Sequence, residues 1–134
     1  MTTTRTPEQR QHMYDVADAF EAEHQRFDMN TFQSPCGTTM CIAGWSKHVR
    51  GKDVLSIIQD EDGGWEEFMD TGDVRNAMGL SFTEYRLLCL GEGMHVASKL
   101  PEHLRAKGMA DVVRQVADGA PVDEAHADVL ERYL

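Results

Sequence analysis

Apolar residues recur at three- and four-residue steps along most of this chain. Met13, Val16, Ala17, Phe20, His24 and Phe27 form the clearest stripe, the spacing of an amphipathic helix of about five turns. Thr6-Pro7-Glu8-Gln9 supplies its start. Thr6 suits the N-cap, Pro7 suits the first helical position, and Gln9 completes a capping box. The pattern predicts a helix from near Pro7 to near Arg26. A loop follows from Phe27 to Pro35, with Phe27, Met29 and Phe32 as buried anchors. Thr38 is placed to cap a second helix whose third residue is Cys41. On that helix Cys41, Gly44 or Trp45, and His48 share one face, and Gly51 stops it just after Arg50.

The run Val54, Leu55, Ile57, Ile58 is too short to separate helix from strand by period. Asp53 as an N-cap favours a helix over Asp53–Gln59. Asp60–Asp73 reads as an acidic surface segment, broken at Gly63-Gly64 and anchored by Trp65, Phe68 and Met69. A short helix over Asp73–Met78 is stopped by Gly79. Ser81-Phe82-Thr83-Glu84 is a second capping box and starts a helix through Leu90. Gly91-Glu92-Gly93 ends that helix. Pro101 begins another, broken near Gly108. Asp111–Asp118 continues to Gly119, and Pro121-Val122-Asp123 leads into a last helix with Ala127, Leu130 and Leu134.

No stretch of useful length alternates with period two. The one Asp-Gly before an aromatic, Asp62-Gly63, lies in the acidic segment. The expected fold is all-α: one domain over residues 1–134, built from six to eight short helices. Neither a repeat nor a linker marks a second domain.

Composition agrees with a globular chain. Of 134 residues, 41% are hydrophobic and 27% charged, enough to bury a core without staples. No apolar run approaches the roughly 18 residues of a membrane span. The N-terminal Thr-rich stretch lacks the apolar core of a secretory signal, so the expected location is the cytoplasm. Three cysteines make an odd count, and reduced thiols are the default. The net charge of −10 repels nucleic-acid phosphate and attracts a basic partner surface.

Candidate chemistry concentrates in two places. Cys36, Cys41 and His48 form a Cys-x4-Cys-x6-His set, and thiolates with imidazole suit zinc. Common zinc spacings are tighter, and a fourth ligand such as His24 or Cys89 would have to come from the fold. The competing readings are two small buried cysteines, or a disulfide or a thiol activated by a helix start. Gly37-Thr38-Thr39 before a helix is also a weak candidate for a small nucleotide. The second place is the acidic segment, where Asp62, Trp65, Glu66, Glu67, Phe68 and Asp70 compose an acidic-aromatic contact surface. Its competing reading is a solvated loop.

Asp73–Leu88 has the outline of a helix-turn-helix around Gly79-Leu80-Ser81. Its second helix offers Thr83, Glu84 and Arg86, a poor set for reading DNA in so acidic a chain, so a DNA-binding regulator ranks last. The six histidines are scattered, and no catalytic triad, nucleophile elbow or paired carboxylates appear. The expectation is therefore a non-enzyme with no catalytic residues.

The segment Cys36-Gly37-Thr38-Thr39-Met40-Cys41-Ile42-Ala43-Gly44-Trp45, preceded by Phe27-Asp28-Met29 and followed by Ala77-Met78-Gly79-Leu80-Ser81, resembles a group of small uncharacterised bacterial and bacteriophage proteins. The resemblance covers the first two-thirds of the chain. Some members carry a further cysteine where this chain has Ser34, which weakens the metal reading here. The resemblance implies a phage or mobile-element context and brings no activity. The leading expectation is an acidic cytoplasmic protein, carrying no cofactor, that engages a host protein through the surface around Trp65. A metal- or ligand-binding domain at Cys36, Cys41 and His48 is the alternative.

Overall fold

The computed structural model describes residues 5–30, 40–59, 61–68 and 70–134. Phe32, Cys36, Thr38 and Met69, each given a role above, lie outside the described residues. The elements run α1 (Pro7–Ala22), a 3-10 turn (His24–Arg26), α2 (Ile42–Val49), β1 (Ser56–Gln59), β2 (Trp65–Phe68), α3 (Thr71–Met78), α4 (Phe82–Cys89), α5 (Gly91–Lys99), α6 (Glu102–Ala117) and α7 (Val122–Tyr133). The fold is all-α, with seven α-helices among the described residues and one small hairpin added to them. None of these helices is long and apolar enough to cross a membrane.

Helix α1 starts where its pattern places it but ends at Ala22, short of the expected Arg26, where a 3-10 turn takes over. Gln9 N–H donates to Thr6 Oγ1 at 3.1 Å and Thr6 N–H donates to Gln9 Oε1 at 2.9 Å, closing both halves of the capping box. Met13, Val16, Ala17 and Phe20 are fully buried, packed against α6 and α2. The stripe outlasts the helix, because Phe27, beyond the 3-10 turn, stacks on Phe20 with centroids 4.3 Å apart.

Helix α6 is the other half of the core. It runs unbroken through Gly108, which corrects the expected interruption there. A Cβ on Gly108 would lie 2.7 Å from Leu100 Cδ1 and 3.2 Å from Val129 Cγ1. The glycine is there for close approach of the α5–α6 junction and α7, and its propensity cost of about 1 kcal/mol is offset by that packing.

Three further expectations change. Gly91-Glu92-Gly93 starts α5 instead of merely ending α4. The segment expected as a helix over Asp53–Gln59 is instead β1, paired antiparallel with β2. Helix α2 begins at Ile42 with Cys41 as its N-cap, not at a cap on Thr38. The reason is long-range: Met40 N–H donates to the Arg26 carbonyl at 2.9 Å and Asp28 N–H donates to the Met40 carbonyl at 2.9 Å. That pairing holds Met40 and Cys41 extended, so helical turns begin only after them.

The α3–α4 corner is the helix-turn-helix outline read from sequence. Gly79 ends α3 at φ +67, the left-handed conformation that favours glycine. Ser81 and Glu84 close the second capping box at 3.1 and 3.0 Å. Glu84 also receives Arg5 at 2.6 Å, which ties the chain before α1 to this corner.

Candidate functional site

The acidic segment folds as a hairpin standing between α2 and α3. Its register pairs Ser56 with Phe68, Ile57 with Glu67, Ile58 with Glu66 and Gln59 with Trp65. Between the closing pair, Glu61, Asp62, Gly63 and Gly64 are all exposed, and Gly63 turns the chain at φ +83. Among the described residues the sheet has only these two strands. No further strand among the described residues pairs with their outer edges. A two-stranded hairpin is marginal on its own in water, so its footing matters.

That footing is ionic. Asp73, in the first turn of α3, meets three cations from the end of α2 and just beyond. Arg50 donates to both its oxygens, at 3.1 and 2.8 Å. Lys52 Nζ lies 3.0 Å away and the buried Lys47 Nζ 3.7 Å away. The Arg50 hydrogen bonds hold the Asp73 carboxyl well below the usual carboxylate range, and Lys52 adds to them against the opposing effect of burial. Val54, buried, seats the chain as it leaves this cluster.

The acids of the segment thus divide by role. Asp70 is the N-cap of α3 and accepts from Asp73 N–H at 3.1 Å. Asp73 is the clamp. Glu61 and Asp62 are exposed at the turn, and Glu66 and Glu67 lie in β2 beside Trp65 and Phe68. Of the residues expected to contact a partner, Asp62, Trp65, Glu66, Glu67 and Phe68 fall within the hairpin, and Asp70 stands at its exit with a structural task.

Two of the three proposed metal ligands can be placed, and they do not share a surface. Cys41 is 2% exposed. His48 is exposed, with its ring edge-on to Trp45 at 5.3 Å. Cys36 lies outside the described residues. Among the described residues no group of three or more His, Cys, Asp and Glu side chains is placed to hold a metal ion. Cys41 instead faces inward toward Cys89 and Tyr85. Burial pushes the Cys41 thiol up, outweighing the N–H groups of Gly44 and Ala43 at the helix start, which pull it down. Burial pushes Cys89 up further. Both thiols are therefore protonated and shielded, the opposite of an activated nucleophile. In the folded protein neither is expected to be labelled by a water-soluble disulfide reagent, and both are after unfolding. Peptide mapping after a short exposure checks this, and rapid labelling of Cys89 in the native state would contradict it.

Trp45 explains much of the conspicuous Cys36–Trp45 segment. Its Nε1–H donates to the Arg26 carbonyl at 3.2 Å, the same carbonyl that accepts Met40 N–H. The Arg26 guanidinium lies 5.4 Å over its ring. Met40 and Trp45 thus tie the start of α2 to the 3-10 turn that follows α1.

Sequence reasoning missed a cavity of about 740 Å³ between the 3-10 turn and α5–α6, with His24, Asp28, Met29, Met94 and His103 on its wall. Arg105 also lines it, but its guanidinium is spent on the carbonyls of Ala97 and Leu100 at 2.7 and 3.0 Å. No single-element periodicity brings these residues together, so no sequence signal announces the cavity.

No protein-family model matches this chain, no curated protein matches it, and no solved structure matches its fold.

Proposed function

We propose that this protein is a binding protein, without enzymatic activity, that presents the Ser56–Phe68 hairpin to a basic surface on a partner protein. The observation that carries the reading is a hairpin whose outer edges pair with no strand among the described residues, with an exposed acidic turn at Glu61 and Asp62 and Asp73 at its base. An open strand edge offers main-chain hydrogen bonds to a partner strand. The carboxylates supply charge complementarity and speed encounter. The resemblance of Cys36–Trp45 to bacterial and phage proteins supports a phage accessory protein acting on a host protein in the host cytoplasm.

A tagged copy incubated with bacterial lysate at low salt is expected to retain a specific protein. Glu66→Lys with Glu67→Lys should reduce that capture at least tenfold, and raising salt toward 1 M, where screening acts within about 3 Å, should reduce it as well. Capture that survives both the charge reversal and the salt removes the hairpin as the contact. A protein that retains nothing above a tag-only control loses the reading altogether.

A further inference from the structure

The chain has ten more acidic than basic side chains, so a guanidinium without a carboxylate needs explaining. Arg5, Arg10, Arg26, Arg50, Arg114 and Arg132 each pair with Asp or Glu, and Arg105 holds backbone carbonyls. Arg75 and Arg86 pair with no carboxylate among the described residues. Both instead lie against one ring. The Arg75 guanidinium carbon is 5.5 Å and the Arg86 guanidinium carbon 5.8 Å from the centroid of Phe82. Phe82 itself is 59% exposed, one of two large hydrophobic residues left so in the described chain. Arg75 Nε is buried there without a hydrogen-bond partner.

This patch sits across the α3–α4 corner, with Arg75 on α3 and Phe82 and Arg86 one turn apart on α4. Glu84, between Phe82 and Arg86 on α4, is held by Arg5 at 2.6 Å and by the Ser81 N–H. Aromatic and arginine side chains are the groups that most often anchor protein interfaces. A guanidinium lying against a ring can still offer its terminal N–H groups to a carboxylate, and the exposed Arg86 offers its whole fork.

We infer that the Arg75–Phe82–Arg86 patch is a docking site for an acidic amphipathic helix of another protein. The geometry sets the occupant. Both guanidinium carbons lie within 5.8 Å of one ring centroid, close enough for carboxylates on neighbouring turns of one helix face, about 5.4 Å apart, to reach them. Between them the occupant needs an apolar side chain to cover Phe82. A nucleic acid fits less well, because two cations do not offset the repulsion between its phosphates and a chain of charge −10.

The test uses the full chain and a fluorescein-labelled, alanine-based helical peptide with glutamates one turn either side of a leucine. Fluorescence anisotropy at low salt is expected to show saturable binding. Replacing the peptide's glutamates by glutamine should weaken it at least tenfold. Arg86→Gln, at an exposed site where folding is not at stake, should weaken it about tenfold, and Phe82→Ser comparably, with far-UV circular dichroism unchanged. Glu66→Lys with Glu67→Lys should leave it unaffected, which separates this site from the hairpin. Equal binding of the glutamine peptide, or no effect of Arg86→Gln, overturns the proposal. So does a single-stranded oligonucleotide that binds the patch more tightly than the peptide.

Discussion

Asp73→Ala is expected to destabilise the protein by about 3 kcal/mol, a large share of the 5–15 kcal/mol typical of a domain. The effect comes from what the alanine leaves behind. The Lys47 side chain is 7% exposed and Arg50 20% exposed, so both charges lose their counter-ion where water replaces it poorly. Lys52 is half exposed and adds little. Urea denaturation measures the loss. Its pH dependence identifies the cause. The folded-state pKa of Asp73 lies below the ordinary value of 3.8. The stability it supplies is therefore fully present above about pH 4 and is lost as pH falls below that. The gap between the native protein and Asp73→Ala should narrow on acidification toward pH 2. A gap that stays constant would assign the loss to packing instead of charge.

The second large effect is expected at Gly93. A Cβ there would lie 2.0 Å from the Leu88 carbonyl oxygen and 2.7 Å from its carbon. These are backbone atoms, so no side chain can swing aside, and α4 and α5 must spread to admit a methyl group. Gly93→Ala should cost about 3 kcal/mol, or a drop of roughly 10 °C in Tm. Gly91→Ala is the control. Nothing lies within 4 Å of its added Cβ, and alanine favours the helix, so stability should hold or rise slightly. Equal losses at the two positions would mean that backbone propensity, and not the Leu88 contact, decides the outcome.

Gly93 also shows where sequence reading reaches its limit. Two glycines around one glutamate look like a stop, because a glycine's need for close contact and its weakness in helices leave the same letter. The same ambiguity put a break at Gly108. Local signals were legible: the Thr6/Gln9 and Ser81/Glu84 boxes, the left-handed Gly79, and the Met13–Phe20 stripe depend only on neighbours in the chain. What depended on distant partners was not. The start of α2 follows from Arg26 and Asp28 pairing with Met40. Strand β1 follows from β2 across the acidic turn, and Val54–Ile58 alone has no period to reveal it. At the candidate sites, sequence displayed the charge of the acidic segment but not its division of labour. Nothing local distinguishes Asp73, which holds three cations, from Glu61, which is exposed. The Arg75–Phe82 contact spans two helices, so no helical spacing pairs them.

The Lys52–Asp73 ion pair, 3.0 Å long, joins the residues just before and just after the hairpin segment. The chain leaves the helical body and returns to it at one gate. Val54 and, in part, Leu55 still pack on the core, but the distance that the chain between them and Asp70 must span is fixed by that ion pair. An insertion at the Gly63 turn leaves that span unchanged, and loop-closure entropy grows only slowly with length. On the proposed reading, partner contact and stability fall to different residues of one segment, and Asp73 belongs to stability.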